Sequence, residues 1–99
     1  MKSVNIKQEF ADDFISREAG ERLRNIILEA TKNDAPVEID FTGKIIASTS
    51  FFDEGFAKLI EHGWTKEKMF SLIKFKNIHK RDMQVLEDLF EKRLMHGMR

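Results

Sequence analysis

Stretches of period two and stretches of period three to four alternate along the chain, and this alternation predicts its elements. Val4 and Ile6 lie among polar Ser3, Asn5 and Lys7, the spacing of a half-buried strand that should run to about Phe10 before Asp12 and Asp13 break it. Ala19, Leu23, Ile26, Ile27 and Ala30 then recur every three or four residues, which predicts an amphipathic helix over about residues 16–33. Ser16 is its expected N-cap and Glu18 suits the positive end of the helix dipole, while Asn33-Asp34 before Pro36 supplies the stop. Val37, Ile39 and Phe41 alternate with Glu38 and Asp40, the clearest strand in the chain and one expected to be central. Thr42-Gly43 turns the chain. Residues 44–47 read equally as a further strand or as a connecting loop.

A second helical pattern follows Ser48-Thr49-Ser50, one of which should cap it; Phe52, Phe56, Leu59 and Ile60 share a face, and Glu61-His62-Gly63 closes it. Trp64 and residues 65–69 suggest a short helical turn. Leu72, Ile73 and Phe75 then lead a strand ending near Ile78, with Lys74 and Lys76 on its outward face as the guards of a sheet edge. Met83, Leu86, Leu89, Phe90 and Leu94 give the last helix its apolar stripe, and Arg81, Asp82, Glu87, Asp88, Lys92 and Arg93 its wet side. The order of elements predicts a small α/β sandwich, with a mixed sheet of about four strands and three main helices joined by helical crossovers. In such folds ligands and partners meet strand ends and the starts of the following helices, which singles out residues 42–53.

Composition narrows the picture. A chain of 99 residues without cysteine fits one domain, 1–99, whose core holds without disulfides or thiolate-bound metal, and a reducing cytoplasm is the expected setting. Lys+Arg and Asp+Glu both number 17, so the long-range field that attracts nucleic acid or anionic lipid is missing. No apolar run approaches the roughly 18 to 20 residues of a membrane span, so no membrane partner is expected.

Candidate chemistry is sparse. The glycines are scattered and form no phosphate-cradling loop, and no Gly-x-Ser-x-Gly elbow surrounds Ser48 or Ser50. His62, His79 and His96 have no carboxylate at metal-ligand spacing, so neither metal nor cofactor nor catalysis is expected. His62 is explained by the helix end it occupies, and His79 by a helix start. Lys74, Lys76, Lys80 and Arg81 interleave with Phe75 as nucleic-acid binders do, yet edge protection accounts for the strand lysines more simply. The segment Ser48 to Glu54 stands apart. Ser50 with Asp53 has the spacing of a capping box, which leaves two hydroxyls unexplained; Phe51 lies off the apolar stripe and is expected to be exposed as an anchor for a partner.

Val37-Glu38-Ile39-Asp40-Phe41-Thr42-Gly43 followed by Ser48-Thr49-Ser50-Phe51-Phe52-Asp53-Glu54 resembles the STAS fold of anti-sigma-factor antagonists. It most resembles a bacterial STAS-like family of unassigned function that carries a Ser-Phe-x-Asp-Glu motif, and Phe14-Ile15-Ser16-Arg17-Glu18-Ala19 is similar to that family's Ser-Arg-x-x-Ala helix start. The likeness covers roughly residues 10–90. In antagonists of this fold a serine before the helix is phosphorylated by an ATPase-type kinase, and the unphosphorylated form sequesters that partner. The resemblance implies Thr49 as phosphoacceptor, with Ser48 and Ser50 as further candidates. Ser48 stands where the antagonists have Asp, and Phe51 where they have Gly.

The expectation is therefore a non-catalytic interaction module in bacterial signalling or transcription control. Its partner would be a protein, a histidine-kinase-type ATPase or a transcription regulator, with homodimerisation left open. The contact face would comprise Thr42, Gly43, Phe51, Asp53, Glu54 and Lys58. The alternative is a small-ligand or nucleotide-binding module that uses the amides at the start of the second main helix, against which Asp53 and Glu54, expected in its first turn, weigh by opposing an anion there.

Overall fold

The alternating run at residues 37–41 becomes the middle of the sheet in the structure, a computed structural model describing residues 2–10, 16–43, 46 and 48–97. Strands β1 (Lys2–Asn5), β2 (Val37–Asp40) and β3 (Ile73–Lys76) lie in the order β1-β2-β3, and both pairs are parallel. Val4, Ile39 and Phe75 share one register, and Ser3, Glu38 and Lys74 the one before it. The fold is thus a small α/β unit around three parallel strands. The expected fourth strand and mixed sheet are not among the described elements, and residues 44–47 lie outside the described residues except for Ile46.

Side-chain alternation gives the sheet two unlike faces. Val4, Val37, Ile39 and Ile73 are buried beneath the helices, while Ser3, Asn5, Glu38, Asp40, Lys74 and Lys76 on the other side are exposed or half-buried. The first strand is shorter than expected. Asn5 Oδ1 accepts the Gln8 amide at 3.0 Å and starts helix α1 (Ile6–Phe10), so Ile6 and Phe10 are buried as one helical face rather than as alternate strand positions.

Helix α2 (Arg17–Ala30) begins as expected, with the Ser16 hydroxyl accepting the Ala19 amide at 3.0 Å. It buries Ala19, Gly20, Leu23 and Ile27 and ends at Thr31, a few residues short of the expected limit. The stop is a 3-10 turn over Lys32–Asp34, where Asn33 and Asp34 take positive φ, a conformation that Asn and Asp tolerate better than most residues. Helix α3 (Thr49–Gly55) breaks at Phe56 into a 3-10 helix (Ala57–His62), closed by Gly63 at φ 82°. That left-handed cap, together with exposed His62 in the last turn, follows the sequence reading. Helix α4 (Lys66–Leu72) leads straight into β3, and α5 (Lys80–Gly97) packs against α3 and the 3-10 helix after it. His79 Nδ1 accepts the Arg81 amide at 3.1 Å, a helix-start role.

The core is aromatic. Phe41 sits 6.3 to 6.5 Å, ring to ring, from Phe52, Phe56 and Phe75, and Trp64 is buried in the same core cluster. No described helix is long and apolar enough to cross a membrane.

Candidate functional site

The site begins where β2 ends. Asp40 Oδ1 accepts three hydrogen bonds, from the Thr42 amide at 2.9 Å, the Thr42 hydroxyl at 2.5 Å and Asn77 Nδ2 at 3.2 Å. The Thr42 hydroxyl is the largest cause holding the Asp40 carboxyl below its usual range, with the amide and Asn77 adding to it. This knot ties the ends of β2 and β3 and presents exposed Thr42 and Gly43 beyond them. Gly43 takes φ 79°, which other L-residues rarely adopt.

Between this turn and α3, buried Ile46 donates its amide to Asp82 Oδ2 at 2.7 Å. Asp82 was expected on the wet side of the last helix, yet it is fully buried in the first turn of α5. An acid there accepts backbone donors that would otherwise be orphaned, and this accounts for its burial.

Ser48, Thr49 and Ser50 divide the work at the start of α3. Ser48 is the N-cap, its hydroxyl accepting the Phe51 amide at 3.2 Å, while Thr49 is exposed at the next position and Ser50 is half-buried. The cap expected from Ser50 and Asp53 is therefore replaced. With the helix starting at Thr49, Asp53 and Glu54 lie beyond its first turn, and the sequence argument that they oppose an anion there loses its footing.

Phe51 is the largest correction. It is fully buried, edge-on to Phe10 at 5.8 Å and to Phe52 at 5.9 Å, so it anchors the domain to itself rather than to a partner. Helix α3 is packed by α2 on one flank and α5 on another, and a helix covered on two flanks buries residues outside a single stripe.

The charged residues expected at a partner contact are also engaged internally. Glu54 is buried, with Oε1 facing Arg17 at 3.2 Å and Lys58 at 2.7 Å, and Oε2 facing Arg24 at 3.2 Å. Burial acts first and would raise its carboxyl pKa, but the hydrogen bonds from Lys58 and Arg24 outweigh it and hold the group below the usual range. Asp53 receives a two-pronged contact from Arg93, with Nε at 2.6 Å and Nη2 at 2.7 Å, and Arg93 Nη1 reaches Glu61 at 3.0 Å. The hydrogen bond to Asp53 raises the Arg93 pKa in spite of partial burial.

Of the expected contact residues, Thr42 and Gly43 are exposed, Asp53, Glu54 and Lys58 belong to ion pairs, and Phe51 is core. Arg17, Arg24, Asn77 and Asp82 were missed as parts of the frame, and Arg93 was read as merely solvated. Lys74, Lys76, Lys80 and Arg81 are all exposed, with the two strand lysines on the uncovered face of β3. Among the described residues no group of three His, Asp or Glu side chains is arranged to hold a metal.

The family described as a STAS-like domain of unknown function matches residues 19–83, more than half of the chain, and the chain belongs to that family. The match contains β2, the Thr42-Gly43 turn, the hydroxyl segment and α3, which carry the resemblance. No curated protein and no solved structure matches the chain.

Proposed function

We propose that this STAS-like domain is a non-catalytic regulatory module of bacterial signalling or transcription control. It engages a protein partner through Thr42, Gly43 and the hydroxyls at the start of α3, and a phosphate there releases the partner. A histidine-kinase-type ATPase or a transcription regulator is the partner implied by the resemblance to anti-sigma-factor antagonists of the STAS fold. The observation that carries this reading is the division of labour in Ser48-Thr49-Ser50: Ser48 makes the cap, and Thr49 stands exposed at the following position.

A phosphate on Thr49 would add roughly 1.5 to 2 negative charges within a contact that must otherwise be desolvated. An unpaired charge buried in an interface costs several kcal/mol, whereas at an exposed helix start the dipole stabilises it by about 0.3 to 1 kcal/mol. The fold should tolerate what the partner does not. Calorimetry on the copurifying partner tests this, with circular dichroism run in parallel. Thr49→Ala should keep the affinity, while Thr49→Glu should fold normally and lose it. Equal affinity for the two variants would reduce the hydroxyl segment to a helix cap.

A further inference from the structure

The two edges of the sheet differ in a way that neither the family nor the proposed contact explains. At the two registers facing the uncovered side, β3 carries Lys74 and Lys76, whereas β1 carries Ser3 and Asn5. Lysines on an edge strand repel a second edge and retain water, so β3 is guarded and β1 is not. Among the described strands β2 is the only neighbour of β1, so no described strand pairs with the outer row of its backbone donors and acceptors.

Beside this edge runs a groove of about 330 Å³, lined by Lys2, Arg22, Asn25, Ile26, Glu29 and Ala30. The five α2 residues recur every three or four positions and form a stripe separate from buried Leu23 and Ile27. Ile26 also lines a smaller cleft with Ser3 and Val4, so the middle of the stripe lies beside the middle of the strand.

We propose that β1 is the self-pairing edge of a twofold dimer. Two β1 strands run antiparallel with Ser3 opposite the partner subunit's Ser3, extending the sheet to six strands with all helices on one side. Side-chain parity requires this centring or one equivalent to it, because a slip of one residue would turn apolar positions to the wrong face. Lys2 then lies opposite the partner's Val4. The same axis sets the two α2 helices antiparallel with Asn25 and Ile26 nearest the axis. Arg22 meets the partner's Glu29, and Glu29 meets the partner's Arg22.

The charge pattern therefore favours a second copy as the occupant: one self-complementary stripe makes two unlike-charge pairs around Ile26, as an isologous contact requires. Self-pairing through β3 would instead set lysines against lysines. Arg22 is pre-positioned by Glu9 at 3.7 Å and by the Phe10 ring at 4.7 Å, while among the described residues Glu29 pairs with the exposed Lys32 at 2.9 Å. A contact of one short strand and one helix stripe falls below the roughly 1,200 Å² typical of stable complexes, so the dimer is transient.

Sedimentation over a concentration series tests the pairing. The wild-type mass should rise from 11.6 kDa toward twice that value as concentration increases. Arg22→Glu alone and Glu29→Arg alone should each stay monomeric, since each sets like charges against each other at both crossings. An equimolar mixture of the two variants should recover association, and so should the chain carrying both substitutions; circular dichroism establishes that each is folded. A wild-type chain that stays monomeric would overturn the proposal and leave the edge to an extended peptide. It would be overturned equally by single variants that associate like wild type, or by a mixture that does not recover.

Discussion

Gly20→Ala tests whether the close approach of α2 and α3 is rigid. A Cβ at Gly20 would lie 2.8 Å from Glu54 Cβ and 2.8 Å from the Phe51 carbonyl oxygen, with the Gly55 amide nitrogen at 3.3 Å. Two of these three atoms are backbone, which no rotamer change can move. In an open helix the same substitution would stabilise by about 0.5 to 1 kcal/mol, because alanine loses less entropy on folding. Overpacking a well-filled contact costs about 1 to 3 kcal/mol, and relief here would require α2 to withdraw by several tenths of an ångström, loosening Leu23, Ile27 and the Arg24–Glu54 pair together. The overpacking outweighs the propensity gain. We expect a net loss of about 1 to 2 kcal/mol, which in a domain of this size lowers Tm by about 4 to 16 °C. Gly55→Ala should cost less, since its Cβ would meet Leu23 Cδ2 at 3.3 Å and the Gly20 carbonyl at 3.4 Å. Urea unfolding followed by circular dichroism gives both values. A Gly20→Ala chain more stable than wild type by the bare propensity gain would refute the reasoning and show that the two helices part freely.

Further outcomes follow from the same frame. Phe51→Ala should cost about 3 to 5 kcal/mol in equilibrium unfolding, the loss of a buried aromatic, whereas a surface anchor would cost almost nothing. Asp82→Ala should cost about 1 to 3 kcal/mol by leaving the Ile46 amide without its acceptor, and a stability equal to wild type would show that solvent replaces it. The Glu54 carboxyl lies below its ordinary 4.5 in the folded state, so its stabilising contribution is full above that pH and is lost as pH falls through the folded value. Acid titration of the unfolding free energy should therefore fall less steeply for Glu54→Gln, which lacks the group, than for wild type; parallel slopes would contradict this.

What the sequence shows, it shows where one physical signal acts alone. Ser16, Gly63 and the Val37–Asp40 strand follow from a hydroxyl before a stripe, a glycine after one, and unbroken alternation. The reading fails where two signals overlap. Val4 and Ile6 have strand spacing, but Ile6 and Phe10 have helical spacing, and the Asn5 cap on Gln8 decides between them. That signal was available, because Asn before an apolar residue is a helix start. Phe51 and Asp82 are different cases. A stripe assumes one buried face, and α3 is covered on two flanks by elements distant in sequence; an aspartate in a polar run looks solvated until the amide it serves is brought to it from 36 residues away. Tertiary partners of this kind leave no local trace.

The same tertiary pairing alters the electrostatics of the proposed switch. By sequence, Asp53 and Glu54 are two bare negative charges near Thr49, which would resist a phosphate even before a partner is considered. In the fold, Glu54 is surrounded by Arg17, Arg24 and Lys58, and Asp53 and Glu61 share Arg93, so four cations face three acids. Repulsion from the two acids is largely cancelled within the domain at close range, where screening by salt contributes least. A dianion at Thr49 should therefore leave stability nearly unchanged, and any loss of partner binding in Thr49→Glu reports the interface rather than the fold. Were Thr49→Glu instead to lower Tm by as much as Gly20→Ala, the ion pairs would not be shielding the helix start, and binding data on that variant would have to be read as a folding defect.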